Sequence, residues 1–379
     1  MKTRRKIVHV ITGLNTGGAE MMLFKLLAGM DLSRFENIIV SMVKPGAVGQ
    51  KIRDLGVTVY SLDMVPGRPS PVAAGRLVGM LRRERPDIVQ TWLYHADLLG
   101  LLTSVAARRP VVVWNLRASN IEMAHYRRLS GWTRRACALL SGLPRAVIVN
   151  SEAGRDFHRR LGYRPREWVL IRNGIETERF IPDPEARSSV RRELCLSDEA
   201  LLIGLIARFD PMKDHRNFFR AASILHRQLS NVHFLLAGRG VTRENPEIRQ
   251  LIDDASLLGN LHLLGERHDI PRLTAALDVA TSSSIGEGFS NTIAEAMSCG
   301  VPCVATDVGD SAAIVGSTGI VVPPAKPEAL AAAWEKLLGY GDEELREMGK
   351  AARNRIQESF SLADVTKMYE ELYYSLGKA

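Results

Sequence analysis

The stretch Ile285-Gly286-Glu287-Gly288-Phe289-Ser290-Asn291-Thr292-Ile293-Ala294-Glu295-Ala296-Met297-Ser298-Cys299-Gly300 decides how the rest of the chain is read. An apolar run ending at Ala280 and a small-polar step, Thr281 to Ser284, lead into it. From Asn291 the pattern turns helical, with Ile293, Ala296 and Met297 spaced to face a core. The reading is strand, loop, helix start. Gly288 and Ser290 let a ligand approach the backbone closely, and the first N–H groups of the helix then point at it. Such a terminus favours an anion, most often phosphate.

Two carboxylates bracket this device. Glu287 sits in the loop, and Glu295 falls about one turn into the helix on the face turned back toward it. A carboxylate offers acceptor oxygens only, which suits paired hydroxyls such as a ribose diol or a sugar. Taken alone, such a pair is more often only a loop charge and a helix-surface charge. The glycine-rich loop, the helix start and the strand that follows weigh toward a ligand site.

Glu, seven residues, Glu, inside E-G-F-S-N-T-I-A-E-A-M-S-C-G-V-P-C-V-A-T-D-V-G, resembles the donor-site signature of the retaining GT-B glycosyltransferases. That group includes glycogen synthases and bacterial lipopolysaccharide and mannosyl transferases. The resemblance implies two doubly wound Rossmann-like α/β domains facing across a cleft. It also implies a C-terminal helix that crosses back to the first domain.

The composition agrees with a two-domain enzyme. A chain of 379 residues is long enough for two domains that each bury a core. No run approaches the roughly 18 apolar residues of a membrane span. Met1–Leu14 imitates a signal peptide, but His9 and Asn15 interrupt it and no small-residue cleavage site follows, so it reads as a first strand. The four cysteines lie scattered among apolar neighbours, and Cys299 and Cys303 lack the further ligands of a zinc site. Buried thiols and a cytoplasmic location are expected.

The net charge of +8 is uneven. Residues 1–170 hold 27 Lys and Arg against 12 Asp and Glu, whereas residues 171–379 hold 23 against 30. One half is suited to polyanions. No nucleic-acid recognition motif accompanies it, which leaves an anionic membrane surface or a phosphorylated lipid.

Short apolar runs alternate with amphipathic stretches along both halves, the pattern of parallel sheets covered by helices. Arg172-Asn173-Gly174-Ile175, with Phe180-Ile181-Pro182-Asp183-Pro184 after it, breaks the rhythm and reads as a linker. The expected domains are therefore 1–172, with about 360–379 packing back, and 173–359. Leu362–Leu376 carries Val365, Met368, Tyr369, Leu372 and Tyr373 on one face.

Arg208 and Lys213 follow the strand Leu202–Ala207, where they would stabilise the charge growing on a leaving diphosphate without a metal. The resemblance assigns them to the diphosphate, although this chain has Asp214 where the family often has Gly. Gly17-Gly18 is a second helix-start anion site and resembles the family's first-domain glycine loop. It is no dinucleotide fingerprint, because the third glycine is absent. His95 lies where the family places a His near the transferring sugar, and Asp97 reads as a helix cap. Arg267 lies where the family holds the base. The resemblance also gives Glu295 the ribose, and gives Glu287 the donor sugar together with Gly288, Phe289, Ser290, Asn291 and Thr292. Asn120–Arg145 recurs with Met123, Tyr126, Leu129 and Trp132 among arginines, which suits either a core helix or a helix at a membrane interface.

The expectation is a hexosyltransferase that needs no cofactor and uses a nucleotide sugar, UDP-sugar by family frequency. Its acceptor is a glycan or a polyprenyl lipid-linked sugar of cell-surface polysaccharide or lipopolysaccharide synthesis. A nucleotide-sugar epimerase or hydrolase, a phosphorylase, or a non-catalytic nucleotide-sugar-binding subunit would share the architecture. Acceptor loops such as Pro66–Pro71 and Asn115–Asn120 carry no readable code.

Overall fold

The structure, a computed structural model, describes residues 4–108, 111–117, 128–197, 199–255, 257 and 259–376. It divides into two units, Met1–Gly174 with Leu362–Ala379, and Ile175–Ser361. Both divisions fall two residues later than 172 and 359 for a physical reason. Asn173 bonds to Arg117 and a side chain at Gly174 would strike Leu362, so both belong to the first unit. Phe360 packs on Phe289 at 5.6 Å, and its carbonyl accepts from Ile175 N, so both ends of the second unit are tied together.

The first unit contains β1 (Arg5–Ile11), α1 (Gly18–Gly29), β2 (Phe35–Ser41), α2 (Ala47–Asp54), β3 (Thr58–Ser61), α3 (Pro71–Glu84) and β4 (Ile88–Trp92). It continues with α4 (Tyr94–Ala106), β5 (Val111–Leu116), α5 (Arg128–Leu140), β6 (Ala146–Val149), α6 (Glu152–Arg160) and β7 (Trp168–Leu170). The strands form one parallel sheet in the order β3-β2-β1-β4-β5-β6-β7. Alternation along β1 sends Ile7 and Ile11 into one core with α1, and Val8 and Val10 into another with Leu77 and Leu81 of α3. Both faces are covered, so the strands read as near-continuous apolar runs.

The second unit contains α7 (Pro184–Glu193), β8 (Leu201–Ile206), α8 (His215–His226), β9 (Val232–Ala237), α9 (Pro246–Ala255), β10 (Leu261–Leu263), α10 (Ile270–Ala275) and β11 (Val279–Ser282). After these come α11 (Asn291–Ser298), β12 (Cys303–Thr306), α12 (Ser311–Val315), β13 (Gly319–Val322), α13 (Pro327–Leu338) and α14 (Asp342–Ser359). Its parallel sheet runs β10-β9-β8-β11-β12-β13, so the strand order reverses between β8 and β11. That switch point is where open α/β sheets bind ligands. Trp334 of α13, fully buried, anchors the helix by donating from Nε1 to Thr281 Oγ1 at 2.9 Å.

The last helix, α15 (Leu362–Leu376), packs on the first unit, as expected. Val365, Tyr369, Leu372, Tyr373 and Leu376 join the core of Ile7, Leu23 and Phe35. Met368 does not: it is 43% exposed, because the buried stripe runs through 365, 369, 372 and 376 and leaves it on the flank. Tyr373 donates to Gln90 Oε1 at 2.6 Å, which fixes the helix over β4.

Candidate functional site

The loops leaving β8 and β11 meet at the switch point of the second unit. Ile285 N donates to Met212 O at 2.9 Å and Ser283 Oγ donates to Lys213 O at 2.8 Å, so the two loops are one structure. Asp210 opens a single 3-10 turn, Pro211–Lys213, by accepting from Met212 N at 2.9 Å. The next residue, Asp214, has φ +45°, the left-handed conformation that glycine takes most cheaply and that Asp tolerates. Its side chain also caps α8 by accepting from Asn217 N at 3.1 Å. Aspartate therefore supplies both the turn and the cap at this position.

This turn delivers the Lys213 ammonium directly onto Glu287 Oε1, a charge-assisted hydrogen bond. The same oxygen accepts from Ser284 Oγ at 2.8 Å, and Thr306 Oγ1 steadies that serine by donating to its carbonyl at 2.6 Å. Gly309 (φ +60°) lies against the Glu287 and Gly288 carbonyls, where any Cβ would collide with backbone. Asp310 N donates to Gly288 O at 3.0 Å. Loops from β8, β11 and β12 thus hold Glu287 from three sides.

Ser290 occupies the N-cap position of α11 but does not cap it. Its hydroxyl is buried and without a partner, although a buried hydroxyl ordinarily finds one. The start of α11 therefore has no side-chain cap, and it follows Glu287 by four residues, an arrangement suited to an anion. Phe289 points its ring into the core, so only its backbone can serve a ligand. Asn291, Thr292 and Glu295 are partly exposed on the first turns of the helix. Arg208 is 52% exposed and reaches Asp210 Oδ2 from Nη2 at 2.9 Å. Burial keeps His215, two residues past Lys213, neutral, with its pKa lowered to about 4.

Arg267 is committed elsewhere. It bonds Asp269 at 2.7 and 2.8 Å and Glu193 of α7 at 2.8 Å, and Arg272 joins the same two carboxylates. The Arg267 guanidinium holds the Asp269 carboxyl well below the usual range. This network ties α7 to α10.

Gly17, Gly18 and His95 lie at the corresponding switch point of the first unit, after β1 and β4. Gly17 is the N-cap of α1, and a Cβ there would strike the Glu20 carboxylate. Glu20 already covers this helix start, and burial raises its pKa. A Cβ on Gly18 would meet nothing within 4 Å. His95 is the second residue of α4, and burial lowers its pKa. Asp97 is not the helix cap: Leu93 (φ +74°) takes that place. The fully buried Asp97 carboxyl instead accepts from Thr91 Oγ1 at 2.5 Å, and burial pushes its pKa well up. Of the basic aromatic stretch, Met123 and Tyr126 lie outside the described residues, as does the side chain of Leu129.

Ser284, Thr306 and Gly309 are the functional positions that sequence reasoning missed. Their signals were present in the small-polar step after β11 and in the T-D-V-G end of the motif. Among the described residues no group of three His, Cys, Asp or Glu could hold a metal ion.

Comparison with known proteins agrees with this geometry. The model described as Glycosyl transferases group 1 matches residues 200–339, and the model described as Glycosyltransferase Family 4 matches residues 16–179. The Escherichia coli UDP-Gal:alpha-D-GlcNAc-diphosphoundecaprenol alpha-1,3-galactosyltransferase is 24% identical over 79% of this chain and 78% of its own. The lipopolysaccharide core biosynthesis mannosyltransferase LpsB of Rhizobium meliloti is 26% identical over 91% of this chain and 95% of its own. Anabaena Alr3699/HepE, solved in complex with UDP and glucose, superposes with a TM-score of 0.84 at 22% identity, covering 98% of this chain and 100% of that one. With one family model on each unit and relatives that span both, the chain has the GT-B fold and is similar to the group 1 and Family 4 glycosyltransferases.

Proposed function

We propose that this chain transfers a hexose-type sugar from a UDP-sugar to a glycan or lipid-linked acceptor in cell-surface polysaccharide or lipopolysaccharide synthesis. Transfer proceeds with retention of anomeric configuration and without a metal ion. The observation that carries the reading is the Lys213–Glu287 contact beside the uncapped start of α11. A diphosphate arriving there takes Lys213 as its counter-ion, and Glu287 is released to accept hydrogen bonds from the donor sugar. Arg208 exchanges Asp210 for phosphate in the same way. The two cations then stabilise the leaving diphosphate as its charge grows. Glu295 serves the ribose hydroxyls.

UDP as the nucleotide is supported by the Anabaena neighbour, solved with UDP and glucose, and by the E. coli relative, named for UDP-Gal. The latter also supports a lipid-diphosphate acceptor. Retention fits a front-face transfer assisted by the leaving phosphate, with Glu287 holding the sugar hydroxyls and not attacking the anomeric carbon. Among the described residues no helix is long and apolar enough to cross a membrane. The chain works peripherally on the cytoplasmic face, bound through the first unit. There α4 leaves Leu102 and Val105 exposed, and its neighbour α5 leaves Trp132 and Leu139 exposed, with Arg135 over the Trp132 ring.

The test is thermal stabilisation by a panel of nucleoside diphosphates and their sugars, with chelator present. UDP at a hundredfold over its dissociation constant adds ~2.7 kcal/mol, a readily measured shift. No shift with any nucleotide defeats the donor-site reading, and a shift that vanishes with chelator defeats the metal-free one. The anomeric configuration of the glycoside formed from the best donor decides retention.

A further inference from the structure

We propose that Arg117 is an anion-binding residue of the first unit that reads a phosphate group on the acceptor. This rests on the transferase reading above and names the chemistry of its acceptor. Arg117 is the first residue after β5, at the carboxyl edge of the sheet beside β4. Its Nη1 donates to Asn115 Oδ1 at 3.3 Å and to Tyr369 OH at 3.2 Å, and its Nη2 donates to Asn173 Oδ1. The guanidinium lies over the Trp92 ring at 5.4 Å. Every one of these partners is neutral, and each is 5% exposed or less.

Three other arginines past strand ends are matched to carboxylates. Arg172, just past β7, pairs with Glu152 at 3.3 Å, Arg208 pairs with Asp210, and Arg267 pairs with Asp269 and Glu193. Arg117 is half-buried among neutral groups and pairs with no carboxylate among the described residues, an arrangement that a ligand's negative charge would stabilise. The partners are themselves fixed: Asn115 Nδ2 donates to Tyr369 OH at 2.9 Å, and Asn150 Nδ2 to Asn173 Oδ1 at 3.4 Å. A second observation points to a ligand at the same place. Asn150 Oδ1, just past β6, is buried without a donor, two hydrogen bonds from Arg117 by way of Asn173 Oδ1, and a hydroxyl on a ligand that carries the phosphate would satisfy it. Two carboxamides, Asn115 and Asn173, and the Tyr369 hydroxyl thus orient one guanidinium whose fork matches phosphate oxygens.

The anion is assigned to the acceptor rather than the donor on charge grounds. The second unit already holds Arg208, Lys213 and an uncapped helix start for a diphosphate. The first unit carries 30 Lys and Arg against 15 Asp and Glu, whereas the second carries 20 against 27.

Calorimetric titration of the full chain tests this, with UDP saturating the donor site. The probes are N-acetylglucosamine 1-phosphate, farnesyl diphosphate and inorganic phosphate. Wild type is expected to bind at least one of the phosphate esters. Arg117→Gln should weaken that binding at least about tenfold, and Arg117→Lys should restore it only in part, because an ammonium lacks the fork. Tyr369→Phe removes only the orienting hydroxyl and should weaken it a few-fold. The ester that binds more tightly tells a lipid-linked phosphate from a soluble sugar phosphate. Should Arg117→Gln fail to fold, Arg117→Lys and Tyr369→Phe carry the test, and wild-type affinity in both overturns the proposal. It is also overturned if wild type binds none of the esters, or if Arg117→Gln loses UDP stabilisation as strongly as ester binding. A normal UDP shift with no Arg117-dependent ester binding defeats this assignment alone and leaves the donor reading intact.

Discussion

The two units share a sheet order through their first six strands, β3-β2-β1-β4-β5-β6 against β10-β9-β8-β11-β12-β13, yet they treat charge at the strand ends in opposite ways. In the second unit the key cations are held on carboxylates of the same site, as Lys213 is on Glu287. In the first, Arg117 is held by amides and a phenol. A self-neutralised site stays folded when empty and exchanges partners when a diphosphate arrives. A site left charged attracts an anion from a distance and waits for it. Architecture is therefore no guide to the electrostatics of binding, which a few loop residues decide.

The largest expected effect breaks the self-neutralised site. Lys213→Ala and Glu287→Ala should each lower turnover by about two to four orders of magnitude, as loss of a transition-state contact does. Both residues are mostly buried, so each single variant also strands one charge and lowers the melting temperature. The double variant Lys213→Ala/Glu287→Ala should regain stability and remain inactive, as denaturant melts and product assays will report. If the double variant melts no higher than the singles, the pair is not the coupled unit described.

Next in size is the clamp. Gly309→Val forces a branched side chain into a left-handed turn against the Glu287 and Gly288 carbonyls. It should cost about 2–4 kcal/mol in chemical denaturation and abolish UDP stabilisation. Unchanged UDP binding would show that the β12 loop does not shape the site.

The smallest effect concerns the first unit. Leu139, 87% exposed, and Trp132, 67% exposed, sit seven residues apart on the outer face of α5. Replacing both by Ser should weaken sedimentation with phosphatidylglycerol vesicles about three- to tenfold, with no change in UDP stabilisation. Equal binding to neutral and anionic vesicles, or no loss in the variant, would count against a membrane-facing α5.

Much of this was legible in the sequence because buried parallel strands are written as apolar runs. The strand expected at Leu202–Ala207 is β8, Leu201–Ile206, one residue off at each end, since burial on both faces leaves few other readings. The helices missed are the polar ones. α14 spans 18 residues yet buries only Gly349, Ala352 and Ile356, so its pattern lacks an apolar stripe. Its start is marked by Glu344 accepting from Gly341 N at 3.2 Å. Pro182-Asp183-Pro184 looked like a linker, but Asp183 and Pro184 are the cap and first residue of α7. Arg267 and Arg117 show the limit from both sides. The first is tied to Glu193, 74 positions away, and the second to Tyr369, 252 positions away. Local pattern cannot say which arginine has found a carboxylate.

The packing of α15 on the first sheet has a consequence for synthesis. Tyr369, Tyr373 and Leu376 complete a core begun by Ile7 and Leu23, so that core stays open until residues 362–376 have left the ribosome. The second unit, Ile175–Ser361, is already entire by then. The half of the protein made first is the half finished last, and in the interval its apolar sheet face depends on chaperones or on speed.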